Sequence, residues 1–215
     1  MGRPDHESQS EQIVTVVLEL LESQGYDAVQ LREVARRAHV SLATVYKWFP
    51  TRNELIVAAV RRWMAVHCYS SVTKPDPQES LRDGLRRLLR SVFEPWERNP
   101  EMLEAYYRAR VGAGGHRLDV QGMEAVLPAA DPLVEGADPD YVRDIGLILA
   151  NMTFALIGRF VDKSLDITEI LPALDRAVYR LTSDNESEAA AARGTARANR
   201  GARIDPSMAA PFDRR

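Results

Sequence analysis

Apolar residues in this chain recur at helical spacing in almost every segment that carries a readable pattern. Alternating runs of β-branched residues, the mark of half-buried strands, are missing. This periodicity predicts an all-α protein. Near the start, Ile13, Val16, Val17, Leu20 and Leu21 form one stripe, closed by Gln24-Gly25 as a C-cap. Leu31, Val34, Ala35 and Ala38 form a second, short one. After the break at His39-Val40, Ser41 is a good N-cap for a third helix with Val45 and Phe49 on one face, stopped by Pro50. Thr51 with Glu54 three residues later has the capping-box form and leads into Leu55, Ala58, Ala59, Trp63 and Val66. Four helices thus precede the middle of the chain, the second and third very short.

Thr73-Lys74-Pro75-Asp76-Pro77 reads as a linker and marks a domain boundary, giving units over 1–72 and 73–182. Beyond it, Asp76-Pro77, Asn99-Pro100 and Asp138-Pro139 each pair an N-cap acceptor with a proline at the first helical position, and Asp166 with Glu169 marks a further start. The stripes that follow are Leu81 to Trp96, Leu103 to Ala109, Tyr141 to Phe160 and Leu171 to Leu181, for about nine helices in all. Gly112, Gly114 and Gly115 break the second of these, and Pro172 should kink or delay the last. From about Ser183 to the end, 183–215, large apolar residues become scarce, so that stretch reads as a disordered tail. Its six arginines stand against five acids, which argues against a basic arm for DNA.

Composition excludes several classes. An apolar share of 45% over 215 residues supports a real core. Cys68 is the only cysteine, so no intramolecular disulfide forms and a reducing compartment is expected. The polar start, Met1 to Gln12, does not read as a secretory signal. The longest uncharged apolar-rich run, Ile145 to Gly158, falls short of the about 20 residues of a spanning helix and predicts a buried helix instead. A cytoplasmic protein with no membrane partner is expected. The four histidines are scattered, with no metal-ligand spacing, no phosphate loop and no nucleophile–base set, so neither catalysis nor a metal or cofactor is expected.

A net charge of −3 gives no global sign of a nucleic-acid partner, but the charge is unevenly placed. Between Gln30 and Arg62 lie Arg32, Arg36, Arg37, Lys47, Arg52, Arg61 and Arg62 against only Glu33 and Glu54, a local net of +5. The same stretch holds two short helices joined by a three-residue turn, the arrangement of a helix-turn-helix whose second helix enters the major groove of double-stranded DNA. From Ala38 to Leu55 the sequence, with Tyr46-Lys47-Trp48-Phe49-Pro50 at its centre, resembles the signature of TetR-family regulators. Ala43 stands where that family commonly has glycine.

The resemblance implies roles residue by residue. Thr44 and Tyr46 would contact phosphates and base edges, and Lys47 would supply phosphate charge. Ser41, Leu42 and Ala43 would meet bases, Leu42 and Ala43 through apolar contact only. Arg52, Gln30 and Arg32 would clamp the backbone on either side. Tyr46 also reads as simple core, and Trp48 and Phe49 read as core more readily than as DNA contacts.

The second half would bind something else. Phe93, Trp96, Met102, Tyr106, Tyr107, Met123, Met152 and Phe154 could line an elongated apolar pocket, with Arg110 and Asn151 as polar groups facing a small-molecule effector. The alternative for each is ordinary bundle core, and for Arg110 a surface ion pair. The last two helices, Ile145 to Phe160 and Ile170 to Leu181, correspond to the family's homodimer interface, where Gly146, Ala150, Ala155 and Gly158 would permit close approach. Glu97 to Leu103, with Gly25 to Gln30, further resembles the actinobacterial branch that represses cholesterol and steroid breakdown, implying an acyl-CoA or steroid-derived effector. The resemblance therefore implies a ligand-responsive repressor. A DNA-binding activator or a protein-binding helical module are the alternatives.

Overall fold

The computed structural model describes residues 4–183, and these contain nine α-helices and no strand. They are α1 (Pro4–Gln24), α2 (Leu31–Arg37), α3 (Leu42–Trp48), α4 (Arg52–His67), α5 (Leu81–Glu97), α6 (Pro100–Arg110), α7 (His116–Ala130), α8 (Pro139–Val161) and α9 (Ile170–Leu181). Short 3-10 turns precede α2 and α9 and follow α7. The tail expected from about Ser183 lies, from 184 onward, outside the described residues.

Local chemistry sets most of the helix ends. Gly25 closes α1 at φ +77°, its N–H donating to the Leu21 carbonyl at 3.1 Å, a conformation glycine adopts without a Cβ penalty. Ser41, Thr51 and Asp138 cap α3, α4 and α8 by accepting backbone N–H bonds. Asp166 and Glu169 complete a capping box ahead of α9, so Pro172 falls in the first turn, where no intrahelical N–H bond is lost.

The structure corrects three readings. Asp76-Pro77 does not start a helix: the Asp76 carboxylate caps the turn at Gln78, and α5 begins at Leu81 behind Ser80, whose hydroxyl accepts the Asp83 N–H at 3.1 Å. Asn99 does precede α6, but its amide donates back to the Pro95 carbonyl at 2.9 Å instead of capping forward. The helix α7 has no counterpart among the sequence stripes. Gly122 and Pro128 interrupt its pattern, and of its apolar residues only Leu118 and Ala129 are buried.

One continuous core runs through the molecule, from Ile13, Val17, Leu20 and Leu21 of α1, through Leu55, Ile56 and Trp63 of α4, to Met102 and Leu103 of α6 and Ile170 and Leu174 of α9. The helix α4 packs on α1 on one side and on α6 and α7 on the other, so it belongs to both halves. The helix α8 departs from the fully buried helix read from its composition. It buries Ile145, Leu149, Leu156, Ile157 and Gly158, while Gly146, Ala150, Asn151 and Ala155 are exposed, as are Leu147 at 61% and Ile148 at 44%. By length and composition alone α8 could cross a membrane; here one face of it packs against α6 and α9.

Candidate nucleic-acid interface

Two seven-residue helices and a tight turn build the interface. Val34 and Ala35 of α2 and Val45 of α3 are buried together with Ala38 and Phe49, which fixes α3 across α2. His39 takes φ +52° in the turn, a left-handed conformation that lets the chain reverse within three residues. With Val45 and Phe49 held inward, the helical period turns Ala43, Tyr46 and Lys47 to solvent. Tyr46 is 49% exposed, which removes its reading as core. Ser41 accepts the Thr44 N–H at 3.0 Å, and its hydroxyl lies 2.8 Å from that of Thr44. Leu42 is half-buried.

The positive residues divide into committed and uncommitted groups. Arg36 and Arg37 of α2 both donate to Glu33, Arg36 at 2.9 and 2.6 Å and Arg37 at 2.6 Å. These two guanidiniums hold the Glu33 carboxyl down at about 2. Arg52 is also committed: it stacks 4.3 Å over the Tyr26 ring and donates to the carbonyls of Tyr26 and Val29. It pins the start of α4 to the connection before α2. Gln30 turns its amide to the Asp27 carbonyl at 3.0 Å. Arg32, Lys47 and Arg61 are exposed and take part in no ion pair among the described residues.

Contacts that sequence reasoning missed tie this unit to the helices beyond it. The Asn53 amide in the first turn of α4 donates to the Ala109 carbonyl at 2.9 Å and the Ala113 carbonyl at 2.8 Å, clasping the end of α6. Higher on α4, the Arg61 carbonyl accepts from the Gln121 amide of α7 at 2.9 Å. The partners are 56 to 60 residues apart in sequence, and no local pattern announces them.

Most of the pocket candidates come together as one cluster beside α4. Trp63 meets Trp96 at 4.5 Å and Trp96 meets Tyr106 at 5.4 Å, both tilted, and Tyr107 stacks on Phe154 at 5.1 Å. Phe93 and Met102 are buried in the same core, and Met152 packs against it. Arg110 lies 4.0 Å over the Phe154 ring and bonds Asp119 at 2.6 Å, so its ion pair and its position in the cluster coexist. Burial pushes the Tyr106 hydroxyl up to about 12. Met123 on α7 and Asn151 on α8 are exposed and stand apart, the Asn151 amide bonding its own helix at Leu147. Among the described residues no group of His, Cys, Asp and Glu could hold a metal ion, and Cys68 is buried with its thiol pushed well up.

The chain matches "Bacterial regulatory proteins, tetR family" over residues 13–59 and "Tetracyclin repressor-like, C-terminal domain" over residues 79–181. It is 31% identical to the HTH-type transcriptional repressor KstR of Rhodococcus jostii over 185 residues, 80% of this chain and 82% of that protein. It is 26% identical to KstR of Mycobacterium tuberculosis over 194 residues, 87% of this chain and 86% of that one. A TetR transcriptional regulator from Rhodococcus sp. RHA1 has the same fold, with a TM-score of 0.64 at 21% identity, covering 80% of this chain and 95% of that one. With a helix-turn-helix at its head and similarity running across both halves, this chain belongs to the TetR family, a family of DNA-binding regulators and not of enzymes.

Proposed function

We propose that the chain is a cytoplasmic, ligand-responsive repressor that binds a palindromic operator as a homodimer and is released by a small, lipid-like effector. The observation that carries the reading is the two-sided α3, with Val45 and Phe49 buried and Ala43, Tyr46 and Lys47 solvent-facing at the end of a tight turn. Residues 1–72 read DNA. Ser41, Leu42 and Ala43 meet bases, Thr44 and Tyr46 meet phosphates and base edges, and Lys47 meets phosphates, while Gln30, Arg32 and Arg52 flank them. The repressor activity in the names of the two KstR relatives supports the sign of regulation.

Residues 73–182 take the effector and the partner copy. The aromatic cluster of Trp96, Tyr106, Tyr107 and Phe154, with Phe93, Met102, Met152 and Arg110, suits a large apolar molecule with a polar or anionic end. Similarity to the steroid-catabolism branch supports an acyl-CoA or steroid-derived compound. Partnering uses the α8 face left bare by the single chain, Leu147 and Ile148 among small residues. In the dimer two α3 helices reach half-sites about 34 Å apart, and the effector favours a state with a different spacing.

The test titrates the protein into a duplex of its own upstream region at several salt concentrations, then adds acyl-CoA and steroid compounds. Steep salt dependence, preference over random DNA and release by one of these compounds are the expected results. Binding no tighter than to random DNA at every site recovered from the genome would end the reading. The Leu147→Glu variant should sediment as a monomer and lose most operator affinity.

A further inference from the structure

The end of the recognition helix does not give onto open solvent but onto a groove of about 300 Å³. It is lined by Trp48, Phe49 and Pro50 at the end of α3, by a face of α4 that includes Glu54 and Arg61, and by Arg117 of α7. The position of Arg117 is fixed by packing. Gln121, four residues on and therefore on the same face of α7, bonds the Arg61 carbonyl at 2.9 Å. Stepping back one helical turn from Gln121 carries Arg117 toward the 111–115 turn, which Asn53 holds against the first turn of α4. The turn itself is tight: Gly114 has φ +78°, and a Cβ on Gly115 would lie 2.0 Å from the Arg110 carbonyl oxygen. Arg61 and Arg117 are both exposed and join no ion pair among the described residues. The one carboxylate in the groove, on Glu54, is engaged by the Thr51 hydroxyl at 3.3 Å. Lys47, in the last turn of α3, is exposed as well.

Resting on the DNA-binding reading, we infer that Arg117, with Arg61 across the groove, contacts a backbone phosphate of the DNA whose major groove α3 occupies. The second half of the chain then contributes directly to operator affinity. Two guanidiniums against one carboxylate, in a groove that begins where α3 ends, leave a net positive lining complementary to a backbone phosphate. The contact carries no base information, so it adds to binding of every sequence. Because Arg117 rides on α7, a shift of α7 along α4 moves a phosphate contact without any motion of α3.

The experiment measures duplex affinity of the full chain between about 50 and 200 mM salt for Arg117→Ala, Arg117→Lys and Arg98→Ala, the last an exposed arginine between α5 and α6. One lost phosphate contact lowers the slope of log affinity against log salt by about 0.9, so the loss of affinity across that range becomes about 3.5-fold smaller. Arg117→Ala should show this on specific and random duplexes alike, with an unchanged melting temperature. Arg117→Lys should keep most of the slope, and Arg98→Ala all of it. A wild-type slope in Arg117→Ala overturns the inference, as does a loss confined to one sequence. Wild-type protein that binds no duplex with a steep slope would instead end the DNA-binding reading on which the inference rests.

Discussion

Replacing Asn53 tests whether the two halves of the molecule are held by a specific polar clasp or only by shared apolar packing. In Asn53→Ala the two bonds to the Ala109 and Ala113 carbonyls, at 2.9 and 2.8 Å, are lost. The Ala109 carbonyl keeps the Gly112 N–H at 3.2 Å, so no oxygen is orphaned there. Two partly exposed bonds at about 0.5–1.5 kcal/mol each give a destabilisation of about 2 kcal/mol. With a urea slope of about 2 kcal/mol per M, the unfolding midpoint falls by about 1 M. Asn53→Asp is the sharper probe. An acid in the first turn of α4 should gain about 0.3–1 kcal/mol from the helix dipole. The clasp predicts the opposite, because a carboxylate has no proton to give either carbonyl and repels both.

Gly112 supplies the second arm of that test. A Cβ there would sit 2.5 Å from the Asn53 amide nitrogen, so Gly112→Ala should destabilise the wild type and cost far less in the Asn53→Ala background. The coupling between the two should be about 1 kcal/mol. Urea unfolding of the four proteins decides the matter. An Asn53→Asp variant as stable as the wild type, or strictly additive single changes, would refute the clasp.

Other substitutions separate recognition from folding. Tyr46→Phe should weaken operator binding by up to about tenfold, the worth of one phosphate hydrogen bond, with the helical circular dichroism and melting temperature unchanged. Thr44→Ala should do the same, whereas Ser41→Ala also removes the α3 cap and should lower stability by about 1 kcal/mol. Arg52→Ala should destabilise by about 2–3 kcal/mol through its carbonyl bonds and its stack on Tyr26, and Arg52→Lys should restore the charge without the stability. Glu33 titrates lower in the folded protein than in the unfolded chain, so its stabilisation is complete above about pH 4.5 and disappears as the pH falls toward about 2. Urea midpoints of wild type and Glu33→Gln should therefore differ at pH 6 and converge over that window.

Where sequence reading succeeded, the information was local. A cap acts within three residues, and a buried stripe repeats within two turns, so Gly25, Ser41, Thr51, Asp138 and Asp166 and the buried faces of α1 to α4 were readable in advance. The failures share a cause in tertiary packing. Asp76 and Ser80 are both competent acceptors, and the chain beyond Pro77 turns once more before α5 starts. Gly122 within α7 faces the Tyr69 hydroxyl, where a Cβ would lie at 3.2 Å, a close approach that no local pattern announces. The sequence offers Arg52 only as a backbone clamp, and its seat over Tyr26, 26 residues earlier, is a tertiary contact no local pattern announces. Charge counting finds a basic stretch but not which cations are already engaged, and here Arg36, Arg37 and Arg52 are.

The division of α3 into an inward pair and an outward set bears on how such a protein diverges. Val45 and the capping Phe49 are buried, and Leu42 and Trp48 pack partly against the same core. Ala43, Tyr46 and Lys47 touch nothing whose loss would loosen the fold, so these three positions are free to vary in a duplicated copy while the scaffold stays above its stability threshold. Surface changes of that kind shift stability by less than about 0.5 kcal/mol, so new operator preferences can be sampled by drift at almost no risk to folding. The proposed effector site has no such freedom, because Trp96 and Met102 are themselves core and Tyr106 packs against it. Under the proposed function, lineages descended from a chain like this should therefore change their binding sequences readily and their inducers only through linked, compensated substitutions.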